Sequence, residues 1–199
     1  MFTLVSGAYK YFMRQDEYNV LMLGLDGAGK TTLLEKIKHI HTGTPGMSPD
    51  KIQPTVGVNI TKVTHNKDMV RFMDLGGQPD LRSIWESYYE DSHAILFTID
   101  AADSERMKEA KEVLGNLIRA DELEGLPLLV AANKCDLEEA ELVRVKELIN
   151  GMADSLDERD VRVVETSGLA GTGISAAMEW LHSRIIDNKD RKPPVVSEV

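Results

Sequence analysis

Gly24-Leu25-Asp26-Gly27-Ala28-Gly29-Lys30-Thr31 is the stretch on which the reading of this chain turns. Glycines at Gly24 and Gly29 let the backbone wrap close to an anion. Amides of Asp26, Gly27, Ala28 and Gly29, with a helix N-terminus running through Thr32, then point at phosphate. Lys30 reaches the β and γ oxygens, and the Thr31 hydroxyl ligates Mg²⁺. The flanks agree, because Tyr18 to Leu23 reads as a buried strand and Thr32 to Ile40 as a helix with Leu33, Leu34 and Ile37 on one face. An ordinary glycine turn capping a helix explains the glycines but not a lysine placed at the phosphate.

Outward from this loop, the next informative string is Asn133-Lys134-Cys135-Asp136, preceded by the apolar run Leu126 to Ala132. That run reads as a buried strand, so the string sits at a strand's carboxyl end, where an open α/β sheet binds its ligand. A carboxylate at Asp136 accepts from both N1–H and the exocyclic amine of guanine, whereas adenine offers no such donor pair. Discrimination of this kind reaches about 10⁴.

The chain's 199 residues suit one α/β domain. Lysine and arginine total 23 against 33 acidic residues, a net charge of −10, which argues against a nucleic-acid binder. A single cysteine, Cys135, excludes an internal disulfide framework and suits a reducing compartment. No apolar run approaches the roughly 18 residues that span a membrane, and no secretory signal pattern opens the chain.

Residues 1–16 carry an apolar stripe at helical spacing that includes Phe2, Leu4, Val5, Tyr9, Phe12 and Met13. His39 to Lys51 reads as a loop, and Val56 to Thr64 with Met69 to Asp74 as two strands of a hairpin. Helix and strand then alternate: helix at 81–89, strand at 94–100, helix at 104–119, strand at 126–132, helix at 138–153, strand at 161–165 and helix at 173–187. That alternation predicts a largely parallel sheet with helices on both faces. From Asn188 the tail has Pro193-Pro194 and no apolar period, so residues 188–199 are expected to be disordered.

Asp74-Leu75-Gly76-Gly77-Gln78 ends the second hairpin strand. Asp74 is placed to hold Mg²⁺ through water, Gly77 to offer its N–H to a γ-phosphate, and Gln78 to orient an attacking water. Thr55, in Pro54-Thr55-Val56-Gly57, can ligate Mg²⁺ only while the γ-phosphate holds its loop closed. Thr166-Ser167-Gly168-Leu169 follows a strand and offers the Gly168 amide to the guanine carbonyl.

Taken in order, these strings resemble those of small GTPases of the Arf family, from the first residues to about Asp187. Asp74-Leu75-Gly76-Gly77-Gln78 followed by Trp85 and Tyr88-Tyr89 is Arf-like more than Ras-like. Met1-Phe2-Thr3-Leu4, Gly46-Met47-Ser48 and Asn59-Ile60 are similar to the Arf-related protein subfamily, which acts at the Golgi. The resemblance implies a P-loop fold: a six-stranded, mostly parallel sheet with one antiparallel hairpin strand, helices on both faces and an N-terminal amphipathic helix. It also implies a GTP-binding domain over 17–187 that binds GTP with Mg²⁺, hydrolyses it slowly to GDP, and switches between the two states. Its expected partners are an exchange factor, an activating protein and effectors. It is expected to be monomeric, cytoplasmic and reversibly associated with the Golgi membrane, and to regulate vesicle traffic.

The sequence departs from the family in three places. Phe2 stands where Arf proteins carry a myristoylated glycine, so attachment is expected to rest on the N-terminal helix and a partner. Val58, Met73 and Tyr88 replace the family's aromatic effector triad. Pro79 restricts the backbone of Gln78. A competing reading makes the chain a non-enzymatic, GTP-stabilised subunit of a membrane complex; retention of Gln78 favours the enzyme.

Overall fold

The structure, a computed structural model, describes residues 15–156 and 159–197; the stripe from Phe2 to Met13 lies outside the described residues. β1 (Gln15–Gly24) is the central strand, flanked in parallel by β3 (Asp68–Leu75) and β4 (Ala94–Asp100). It is apolar at successive positions because both its faces are covered. Tyr18, Val20 and Met22 enter one core, while Leu21 and Leu23 enter the other. Each such side chain contributes roughly 1.5–3 kcal/mol on leaving water. α1 (Lys30–Thr42) covers the first face with Leu33, Leu34 and Ile37, and α2 (Met107–Leu117) covers the second with Met107, Ala110 and Leu114.

The sheet runs β2-β3-β1-β4-β5-β6, with β2 (Val58–His65) antiparallel to β3 and the other neighbouring pairs parallel. β5 (Leu128–Asn133) and β6 (Val161–Glu165) complete one edge, packed by α3 (Leu142–Asn150), the short α4 (Ala153–Leu156) and α5 (Ile174–Asp187). The helices after β1 and β4 lie on opposite faces. The crevice beyond the carboxyl end of β1 is therefore the topological switch point where such sheets bind ligands.

Three local expectations are corrected, and the expected hairpin is found with a defined turn. The segment Pro79–Tyr88 is a 3₁₀-helix, held by bonds such as Leu81 N–H to Gln78 O and pinned where the Trp85 indole donates to Gly76 O at 2.9 Å. A run this long is uncommon and marks a segment under local constraint. The helix expected over 138–153 starts later and breaks at Gly151, giving α3 and α4. The turn joining β2 to β3 has positive φ at both Asn66 (48°) and Lys67 (80°), the geometry that matches strand twist in a two-residue hairpin. Finally, the tail is ordered as far as Ser197: β7 (Val195–Ser197) pairs antiparallel with Gln15, Asp16 and Glu17 of β1, and His93 bonds Pro193 O at 2.9 Å. Main-chain pairing needs no apolar period, which is why composition did not reveal it.

Candidate functional site

The loop after β1 folds as its glycines require. Gly24 has φ 139°, and a Cβ there would overlap the carbonyl of Thr98 on β4. Lys30 opens α1 and turns back beneath the loop, where its Nζ donates to the carbonyls of Gly24 (3.0 Å) and Leu25 (2.8 Å). Burial pushes its ammonium down to about 8, against the opposing pull of Asp74 and Asp26.

Thr31, Thr55 and Asp74 come from three separate segments and meet at one point. Thr31 Oγ1 lies 2.9 Å from Thr55 Oγ1 and donates to Asp74 Oδ2 at 2.7 Å, with Thr55 Oγ1 3.4 Å from the same carboxylate oxygen. Burial raises the pKa of Asp74, opposed by the Thr31 hydroxyl and Lys30. Asn59, its register partner on β2, also favours the charged carboxylate, and Asp74 Oδ1 is buried without a hydrogen-bond partner at bonding geometry among the described residues. Two hydroxyls and a carboxylate with a buried, uncommitted oxygen are the hard oxygen donors that suit Mg²⁺. The residues present fit that ion.

Gly77 seats directly on the phosphate loop, where a Cβ would overlap the Asp26 amide and Gly24 O. Gln78 is exposed and extended (φ −62°, ψ 144°), the conformation that Pro79 favours for the residue before it. A cavity of about 400 Å³ is lined by Asp26, Gly27, Gly29, Lys30, Thr31, Thr32, Thr55, Gly77 and Gln78, so most of the expected phosphate-side residues converge on it.

A second cavity of about 240 Å³ adjoins the first through Gly29 and Thr32 and is lined by Asn133, Lys134, Asp136, Gly168 and Leu169. Asn133 acts here as a brace: its Nδ2 donates to Ala28 O at 2.9 Å, and its Oδ1 accepts from Gly168 N–H (3.2 Å) and Thr166 Oγ1 (3.3 Å). The Gly168 amide expected to serve a base carbonyl is thus directed at Asn133. Lys134, at φ 65°, fixes its Nζ on Asp100 Oδ2 at 2.6 Å, while its stem passes beside Gly29. Ser167 is fully buried and caps its own loop, accepting from Ala170 N–H at 2.8 Å. Asp136 is exposed at the pocket rim.

Of the three positions expected to shape an effector surface, Val58 and Tyr88 are half-buried against the core, but Met73 is 1% exposed within it. Met73 faces inward because β3 is covered on both sides, so the structure removes it from that surface. Sequence reading also missed Arg82, Arg106 and Glu109, which stand beside Asp26. An Arg-x-x-Glu spacing at 106–109 was visible, but nothing in it pointed to a partner 80 residues upstream.

The chain matches the model of the ADP-ribosylation factor family over residues 4–185. It is 40% identical over 197 residues to ADP-ribosylation factor-like protein 3 of Saccharomyces cerevisiae, covering 98% of this chain and 99% of that protein. It is also 40% identical over 195 residues to ADP-ribosylation factor-related protein 1 of Homo sapiens, covering 97% of each. The structure of the Arl6 BBS3 small GTPase from Trypanosoma brucei, with the bound nucleotide analogue GppNp, superposes with a TM-score of 0.73 at 26% identity over 86% of this chain and 98% of that one. With its glycine loop, the meeting of Thr31, Thr55 and Asp74 and the adjoining cavity at Asp136 all at the carboxyl end of this sheet, the chain belongs, by these matches, to the ADP-ribosylation factor family of small GTPases.

Proposed function

We propose that this GTP hydrolase works as a switch whose GTP state recruits it to the Golgi membrane, where it regulates vesicle traffic. The convergence of Thr31, Thr55 and Asp74 on one point carries the switch reading, because it joins the loop before β2 and the end of β3 to the start of the phosphate-loop helix. Bound there, Mg²⁺ would neutralise charge on the β and γ oxygens. Lys30 supplies a cation beneath the phosphates, Gly77 brings the following loop against them, and Gln78 lines the cavity where a water attacks. Asp136 selects guanine at the neighbouring pocket. Arg82 and Arg106 lie near the site, but both are held by carboxylates, so turnover is slow until an activating protein supplies a free cation. The Golgi assignment rests on the Arf-related subfamily strings. Membrane attachment is assigned to Phe2, Leu4 and their neighbours.

Single-turnover hydrolysis tests this reading. Gln78→Leu should bind GTP nearly as the unaltered chain does and hydrolyse it about a hundredfold more slowly with an activating protein. Unchanged hydrolysis would favour a GTP-stabilised structural subunit. In the same preparations, binding to Golgi membranes should require GTP and fall when Phe2 and Leu4 are made polar. Binding indifferent to nucleotide would remove the switch from recruitment.

A further inference from the structure

Four charged side chains form a closed ring beside the phosphate cavity. The Arg106 fork grips Asp26 twice, Nη1 on its backbone carbonyl and Nη2 on Oδ1, each at 2.9 Å. Arg106 Nε donates to Glu109 Oε2 at 2.8 Å. Glu109 Oε1 accepts from Arg82 Nη2 at 2.6 Å, and Arg82 Nε donates to Gly77 O at 2.9 Å. Gly77 packs on the Asp26 amide and closes the circuit.

Two features point to a role beyond folding. The side chains of Asp26, Arg106, Glu109 and Arg82 are 41, 33, 36 and 19% exposed, so the ring stands partly open to solvent beside the cavity rather than inside the core. The ring also sits where charge matters: Asp26 lines the phosphate cavity, and both arginines bear electrostatically on Lys30. A carboxylate in a polyphosphate site repels its ligand, most strongly the γ-phosphate, unless a cation neutralises it. The carbonyl that Arg82 holds belongs to the peptide linking Gly77 to Gln78, so the far side of the ring fixes the residue that lines the water position.

We infer that Arg106 and Glu109 are positioning residues for the triphosphate: Arg106 neutralises Asp26 and holds it off the phosphates, and Glu109 holds Arg82 on the Gly77–Gln78 peptide. The N-terminal turn of α2 thereby senses the triphosphate from the face of the sheet opposite α1. The two halves act on different quantities, Arg106 on the preference for GTP over GDP and Glu109 on the rate of hydrolysis. Hydrogen bonds from Arg106 and Arg82 hold the Glu109 carboxyl down to about 2, and the Arg106 hydrogen bond holds Asp26 below its ordinary value, so both carboxylates stay charged across physiological pH.

The inference rests on the switch reading, and the unaltered chain's own affinities for GTP and GDP with Mg²⁺ are measured first; failure to bind either would be a failure of that reading. In the full chain, Arg106→Gln should lower the ratio of GTP to GDP affinity about tenfold, and Arg106→Lys should retain part of it. Adding Asp26→Asn to Arg106→Gln should restore the ratio, because the charge that needed neutralising is gone. Glu109→Gln should keep GTP affinity and slow single-turnover hydrolysis about tenfold. Equal loss of both nucleotides with no restoration by Asp26→Asn would make Arg106 a structural support and overturn the inference, as would Glu109→Gln hydrolysing normally. Should Arg106→Gln not fold, Asp26→Asn alone carries the test: it should raise the preference for GTP, and a fall would overturn the proposal.

Discussion

The two ends of the parallel strands both pair their charges, but they respond differently to acid. At the carboxyl end, around the phosphate loop, carboxylates are matched with cations at close range: Asp26 with Arg106, Glu109 with Arg82, Asp100 with Lys134. At the amino end, where β2 turns into β3 and β7 pairs with β1, the ion pair of Lys62 with Glu17 stands beside buried histidines, and burial lowers the pKa of His65 and His93. His93 accepts the Asn19 N–H on Nδ1 at 3.0 Å, so its proton sits on Nε2 and is donated to Pro193 O. His65 lies between His41 and His182, 3.1 Å from His41 Nε2, and burial with those two neighbours lowers its pKa. The Asp26 and Glu109 carboxylates of one end hold their charge as pH varies around neutrality, while Lys30 beneath the loop, pushed down to about 8, titrates nearer to it. The other adds two buried histidines, His65 and His93, that acid will charge.

The largest effect that sharpens this contrast belongs to the nucleotide end. Asp136→Asn should weaken GTP by about a thousandfold while improving xanthosine triphosphate, whose base presents a carbonyl at that edge. Equal losses for both nucleotides, measured by equilibrium binding, would take Asp136 out of base recognition.

Next in size is the brace. Asn133→Ala removes three hydrogen bonds that join the phosphate loop to the 166–168 loop, and should cost about 2–3 kcal/mol in denaturant unfolding of the GDP-bound protein. A loss in nucleotide affinity with unchanged stability would mean that Asn133 serves the base and not the scaffold.

The smallest effect tests the amino end. Burial lowers the pKa of His93, as it does that of His65, below the ordinary 6.5. A group depressed on folding contributes stability above its unfolded pKa and loses it as pH falls, because the unfolded chain then binds more protons. Stability should hold above about pH 6.5 and decline below it, by at most about 1.4 kcal/mol per pH unit for each histidine. His93→Gln should be less stable at pH 7.5 but should show a shallower decline between pH 6.5 and 5. An identical slope would place the acid sensitivity elsewhere.

Much of the site was legible because it is local. A phosphate loop is one continuous string whose glycines, lysine and threonine have meaning at fixed spacing, and Asn133 to Asp136 is another; both stand at the strand ends where they were expected. The parallel core was legible for a related reason. Strands covered on both faces must be apolar throughout, and helices covering them must carry a stripe, so pattern alone separates β1, β4 and β5 from α1 and α2.

Tertiary structure alone decided what depends on approach between distant segments. Asn133 reads as one residue of a base-reading string, and only the fold brings Ala28 and Gly168 within its reach. Met73 reads as a surface position until β3 is covered from both sides. The tail reads as disordered until the free edge of β1 offers main-chain partners at Gln15, Asp16 and Glu17. The physical reason is common to all three. Spacing along a chain reports hydrogen bonds and faces within one element. It carries no record of which donor, acceptor or surface another element will bring within 3 Å, and that meeting sets the role of Arg106, Glu109 and His93 in this protein.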